Sequence, residues 1–268
     1  MNTGSDQSRL AHANLLIVEI GNSHVAVATV IRGKVHNHRR FEPGDLAGIG
    51  EFAGAAWEGM PEAYERCVAV GSVVRPTLAN VRTVLAERLQ TPIRVVGEEL
   101  HRPMSLAVEK PEQVGIDRIC AAAAAHEVIG QACVVASFGT AITIDCVNSE
   151  GVFMGGAILP GLGLQAKALH DGTDALPAVT IEPTGAVFGA TTEQAIRNGI
   201  LYGVVGGLRE IVERYATELG TWPQLVATGG AAEIVKGECD FIDNVVPDLC
   251  VRGIALAHRR HFTPLDVS

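Results

Sequence analysis

Aromatic residues are scarce in this chain, at 4%. Its core must therefore be assembled mostly from Ala, Val, Leu and Ile. Charged residues are also sparse, at 19% against 47% hydrophobic ones. That ratio excludes a disordered chain and describes a packed, globular one. Positive charge is in deficit: 21 Lys and Arg face 30 Asp and Glu, a formal net charge of -9. The basic footprint needed to bind along a nucleic-acid backbone is missing. A small anion held by local backbone donors remains compatible with this balance.

Other absences narrow the field. No C-x-x-C pair occurs among Cys67, Cys120, Cys133, Cys146, Cys239 and Cys250. Most of them sit in apolar stretches, which predicts buried free thiols rather than disulfides or a zinc site. The opening MNTGSDQSRLAHAN is polar and has no signal-peptide core. No apolar run approaches the ~18 residues of a membrane helix. These features predict a cytoplasmic protein with a disordered head over 1–14 and no membrane partner. The G-x-x-x-x-G-K-[ST] run is absent, which excludes the common P-loop. Gly161 and Gly163 follow Pro160 and lack the third glycine of a dinucleotide fingerprint. His36 and His38 have nothing around them to complete a metal site and read as a surface pair.

What the chain does contain is a pattern that occurs twice. LLIVEIGNSHVAVATV starts at Leu15 and CVVASFGTAITIDCV at Cys133. Aligning Gly21 with Gly139 places Glu19 on Ser137 and Asn22 on Thr140. Each segment reads as a strand, a glycine turn and a second strand, the glycine providing a close backbone approach or a positive φ. Two such hairpins suggest a duplicated α/β architecture, and 268 residues are enough to give each half a core. The rest alternates strand and helix: CVAVGSVV, then a helix opening at Pro76, TPIRVV, and a helix over PEQVGIDRICAAAAAHEVIG. In the second half come GVFMGGAILPG, LQAKALHDG, a long helix starting at Thr191 and bent near Gly206 and Gly207, QLVATGG followed by a helix over AAEIVKG, and a closing helix over DLCVRGIALAHRR. The halves are placed at 15–130 and 131–268.

Each motif has a plain reading beside a chemical one. Gly21–His24 is either a tight turn or a phosphate loop of backbone N–H groups and small hydroxyls. Glu19, ending the strand before it, can hold Mg²⁺ through water. Ser137–Ala141 carries the same two readings, with Thr140 as a phosphate or metal-water contact. Ala227–Gly230 is a plain βα turn or a glycine surface for adenosine or phosphate. Asp117 and Arg118 open a helix. They read as a dipole-stabilised carboxylate with a solvated arginine, or as a general base beside a cation that grips an anionic substrate.

Taken in order, these motifs resemble the type III pantothenate kinases of the actin/hexokinase/Hsp70 superfamily. The matching residues are Glu19–Ser23 (EIGNS), Gly115–Arg118 (GIDR), Ser137–Asp145 (SFGTAITID) and Gly155–Gly161 (GGAILPG). Gly189–Ala195 (GATTEQA), Ala227–Gly230 (ATGG) and Pro247–Gly253 (PDLCVRG) complete the set, over about residues 15–258. The resemblance implies duplicated actin-like (ribonuclease H-like) domains with mixed sheets facing a nucleotide cleft. It implies ATP- and Mg²⁺-dependent phosphorylation of pantothenate to 4'-phosphopantothenate, the first step of coenzyme A biosynthesis, by a homodimer. By the same resemblance Asp117 is the base, and Val108, Gly115, Ile116, Asp117, Arg118 and Thr192 meet pantothenate. Glu19, Ile20, Gly21, Asn22, Ser23, His24, Val25, Ala26, Thr140, Gly229 and Gly230 meet ATP. Three positions depart from the family pattern. Glu19 lengthens an aspartate. Ser137 replaces the aspartate that serves a monovalent cation, K⁺ or NH₄⁺, and Val108 replaces a tyrosine. A paralogue that binds without turnover and a same-fold kinase for another small alcohol are the alternative readings, because function belongs to sites rather than folds.

Overall fold

A computed structural model describes residues 3–183 and 185–263. In chain order the elements are α1 (Thr3–Ala11), β1 (Asn14–Ile20), β2 (Val25–Ile31), β3 (Lys34–Phe41), α2 (Leu46–Glu58), β4 (Arg66–Ser72), α3 (Arg75–Leu89) and β5 (Ile93–Val95). A 3-10 turn at Pro111–Gln113 leads to α4 (Ile116–Ile129), β6 (Cys133–Phe138), β7 (Ala141–Val147), β8 (Phe153–Pro160) and α5 (Leu162–Asp171). The chain ends with α6 (Thr192–Leu219), β9 (Gln224–Thr228), α7 (Ala232–Gly237), β10 (Asn244–Val245) and α8 (Leu249–Phe262).

Two compact units share these elements. The first comprises residues 1–105, 109–124 and 248–268, and the second 106–108 and 125–247. The first unit's sheet has the order β3-β2-β1-β4-β5, and the second unit's has β8-β7-β6-β9-β10. In each, a three-strand antiparallel meander is followed by two strands added in parallel. The α/β duplication is therefore present strand for strand.

Composition explains the placement of strands. β1 and β4, in the middle of the first sheet, are apolar on both faces and almost wholly buried, as strands covered on two sides must be. β3 is the edge strand, and its Lys34, His36, His38, Arg39 and Arg40 blunt that edge. Leu16, Val18, Val68, Val70, Ile49 and Leu85 centre the first core, and Phe138, Ile142, Ile144, Leu201 and Leu208 the second. The alanine run of α4 lets α8 approach unusually closely. A Cβ on Gly253 would lie 1.9 Å from the Cys120 carbonyl oxygen.

Several expectations need correction. The head read as disordered over 1–14 holds α1, with Ala11 buried, and β1 already starts at Asn14. Contacts between α1 and α8 order it; residues 1 and 2 lie outside the described residues. The second half is not contiguous over 131–268, because α8 packs on β1 and β4 and so belongs to the first unit. Residues 106–108 join the second unit through the Ala107 N–H, which donates to the Phe153 carbonyl at 2.8 Å. The helix read from Pro111 begins at Ile116. The long helix expected over α6 is present and continuous through Gly206 and Gly207. The edge strand β3 and the helix α2 had no reading in the sequence.

Candidate functional site

Glu19 is the penultimate residue of β1, directly opposite Ala26 on β2 and beside Gly71 on β4. Both neighbours are too small to cover it, so it is the partly open position of a buried strand. The β1–β2 turn closes through the Gly21 N–H, which donates to the His24 carbonyl at 3.0 Å. Asn22 and Ser23 are exposed at its tip. Ile20, Val25 and Ala26 are buried, so these three can offer a ligand only their backbone. The turn does not need its glycine for shape. Gly21 has no positive φ, and a Cβ there would come no nearer than 3.5 Å to the His24 carbonyl oxygen. Gly139, whose added Cβ would meet the Ala141 carbonyl oxygen at 3.6 Å, behaves alike. Neither Gly21 nor Gly139 has a positive φ or a contact that forbids a Cβ, and both turns close by backbone hydrogen bonds; the close backbone approach at the second turn is made by Gly161 against Gly139 and Thr140.

Asp117 is the second residue of α4. Gly115 precedes it because a Cβ there would lie 2.5 Å from Asp117 Oδ1. The carboxylate folds back over the first helical turn and accepts the Arg118 N–H at 2.8 Å. Ile116 is buried against Gly71 and Gly97.

Both carboxyls lie in the first unit, and the Asp117 charge acts on Glu19. Burial raises the Glu19 pKa; a hydrogen bond with the Cys250 thiol opposes the rise, the Asp117 charge adds to it, and Arg40 lowers it. Burial also raises Asp117, against the Arg118 N–H and guanidinium. A carboxylate at a partly open point can contribute one ligand to a divalent cation that keeps most of its waters; among the described residues no group of three or more His, Cys, Asp or Glu side chains is placed to hold a metal ion by itself. Cys250, Arg40, Asp248 and His38 were not expected near this point. Asp248 binds His38 Nδ1 at 2.7 Å. The sequence signal for Cys250 and Asp248 was their place in the PDLCVRG motif; His38 is exposed on β3, as its surface reading expects, and still reaches Asp248.

In the second unit, Ser137 is the penultimate residue of β6, opposite Thr143 on β7 and beside Thr228 on β9. Aligned strand residues share a face, so these form a row of three hydroxyls. Thr140 is exposed in the β6–β7 turn. Gly161 covers this turn: its N–H donates to the Thr140 carbonyl at 2.9 Å, and a Cβ on it would lie 2.2 Å from the Gly139 carbonyl oxygen. Gly229 has φ +96°, and an added Cβ would lie 2.6 Å from the Phe138 carbonyl oxygen. Gly139–Thr140, Gly161 and Gly229–Gly230 are thus stacked with backbone exposed at Thr140 and Gly230. Gly161, the last residue of the GGAILPG motif, is thus a structural member of this site. Asp145, also in a motif but given no role, is buried, and Gly156 makes room for it.

Thr192 opens α6 in an exposed position. Thr191 caps the helix by accepting the Gln194 N–H, and Gln194 Oε1 accepts the Ala190 N–H. Gly189 is required there, because a Cβ would lie 2.4 Å from the Ala195 nitrogen. Val108 flanks Gly155, whose φ is +110°. Glu19–Ala26 and Gly115–Arg118 therefore belong to the first unit. Val108, Ser137, Thr140, Thr192, Gly229 and Gly230 belong to the second.

Solved structures with this architecture include a candidate Baf family transcriptional activator from Campylobacter jejuni. It matches with a TM-score of 0.59 at 19% identity, over 89% of this chain and 94% of that one. The ethanolamine utilization protein EutJ from Carboxydothermus hydrogenoformans matches with a TM-score of 0.50 at 13% identity, over 90% and 89%. At those identities the likeness concerns the fold. In sequence, the chain is 37% identical over 205 residues to a type III pantothenate kinase from Rhodospirillum rubrum, covering 76% of this chain and 80% of that relative. The family model for type III pantothenate kinase matches residues 15–214, and the chain belongs to that family.

Proposed function

We propose that this protein transfers the terminal phosphoryl group of ATP to the primary hydroxyl of pantothenate, the entry step to coenzyme A. The observation that carries the reading is the pair of half-buried carboxyls, Glu19 at a strand end beside an open hairpin turn and Asp117 at a helix start. Phosphoryl transfer asks a protein mainly for positioning and charge stabilisation. In this reading Asp117 orients the hydroxyl and accepts its proton late, while Arg118 holds the substrate carboxylate. Gly115 and Ile116 line the pantothenate pocket, and by the family pattern Val108 also meets pantothenate.

Backbone donors of Gly21–His24 meet the phosphates of ATP in this reading, and Thr140, Gly229 and Gly230 also meet ATP. Glu19 holds Mg²⁺ through water, and the bound ion offsets phosphate charge. Ser137 offers no charge to a monovalent cation, so K⁺ or NH₄⁺ dependence is weak here.

The reading includes a homodimer in which Thr192 reaches the other subunit's pantothenate. Its support is the groove at Thr192, lined by Leu169, Leu176, Ile196 and Ile200. A cytoplasmic location agrees with six free cysteines. No described helix is long and apolar enough to cross a membrane.

The deciding experiment is coupled ADP release with and without pantothenate. The reading predicts release that depends on pantothenate. Nucleotide binding without pantothenate-stimulated release would instead identify a paralogue that binds without turnover.

A further inference from the structure

Resting on that reading of Glu19, we propose that Cys250 is its positioning residue: the thiol donates to the carboxylate and holds the longer side chain at the point where the metal-bearing nucleotide is received.

Three contacts pin the start of α8, leaving Cys250 little freedom. Asp248, its N-cap, is bound by His38 Nδ1 at 2.7 Å on β3. Gly253 lies so close to α4 that any Cβ would overlap the Cys120 backbone. Ile254 Cδ1 fills the space over Gly71, at 2.7 Å from where a Cβ would stand. Gly71 is the β4 residue aligned with Glu19. The first two turns of α8 are thereby fixed over the open point of β1, and the Cys250 thiol meets the Glu19 carboxyl in a hydrogen bond.

The chemistry suits the substitution. Glu19 is one methylene longer than aspartate and has more rotamers to lose when ordered. Asp117 and Asp248 repel its charge, so an unrestrained side chain would turn away from them. A thiol is a weak donor; it fixes orientation and leaves the carboxylate's other lone pairs available. The competing account is that Cys250 merely fills space, as buried free cysteines often do. The two accounts differ in whether the effect of Cys250 depends on the length of residue 19.

A double-mutant cycle separates them, using Cys250→Ala, Glu19→Asp and the pair, with Mg–ADP affinity measured by calorimetry. With Glu19 present, Cys250→Ala should weaken Mg–ADP by roughly 2- to 10-fold, the scale of one hydrogen bond. With Glu19→Asp, whose carboxylate is one methylene shorter, the loss should be negligible, and Cys250→Ser should retain binding with Glu19 present. Equal losses in both backgrounds, or none in either, would overturn the proposal. The S–H stretching band covers the case in which Cys250→Ala does not fold. A band assigned to Cys250 should sit at the lower, hydrogen-bonded frequency and rise in Glu19→Ala. An unmoved band would also overturn the proposal. Neither readout needs turnover, so failed pantothenate phosphorylation would sink the functional reading and leave this test intact.

Discussion

Glu19 and Ser137 stand at one topological point of two sheets with the same strand order. Each is the penultimate residue of its sheet's middle strand, just before a hairpin turn. Around Glu19 the neighbouring positions are Ala26 and Gly71, which leave a carboxylate open. Around Ser137 they are Thr143 and Thr228, which surround a hydroxyl with hydroxyls. One half therefore presents negative charge at this point and the other presents neutral dipoles. Duplicated backbone geometry thus does not duplicate electrostatics: the fold fixes where a side chain stands, and residue identity decides which ion it can hold.

The largest expected effect concerns the charged half. Asp117→Asn should lower kcat for pantothenate roughly 10²-fold or more, the scale of losing a general base, while ATP binding changes little. Turnover near that of the unmodified protein would remove Asp117 from the role.

The second prediction sets the two turns against each other. Gly161→Ala drives a Cβ into the Gly139 and Thr140 carbonyls and should cost about 1–3 kcal/mol, as overpacking does. Gly21→Ala meets nothing closer than 3.5 Å and should stay within about 0.5 kcal/mol. Thermal denaturation of both variants checks this. A Gly21→Ala loss as large as that of Gly161→Ala would show that the first turn is sterically closed after all.

A smaller effect should appear in acid, again in the first half. His258 on α8 is buried, packs on Phe262, and has an unpartnered Nε2. Burial, with Arg94 and His261 nearby, lowers its pKa to about 4. The unfolded chain takes up this proton near 6.5, so its stabilising share is complete above about 6.5. That share is lost as pH falls toward 4. His258→Leu should flatten the fall in urea midpoint between pH 7 and 5. An unchanged slope would place the acid sensitivity elsewhere.

Much of this was legible in the sequence because hairpin segments carry their own signal. Apolar runs broken by Gly21 and Gly139 announced β1–β2 and β6–β7, and the Asp117 motif announced the start of α4. The edge strand β3 escaped because its charged residues hide the alternation of a strand. α8's membership in the first unit escaped because packing against β1 and β4 is a long-range fact with no local pattern. For the same reason Cys250 beside Glu19 was not foreseen. Gly161 stands in the GGAILPG motif, but its role in clearing the Gly139 and Thr140 backbone is a long-range contact that no spacing of glycines announces.

The difference between the two halves is tested most directly by ADP formation with pantothenate in potassium against a bulky organic cation at matched ionic strength. The unmodified protein should show little difference, because the Ser137 hydroxyl row carries no charge to hold the ion. Ser137→Asp, best combined with Glu19→Asp, should make activity rise with potassium. Strong potassium activation of the unmodified protein would contradict the account and show that other oxygens build the ion site.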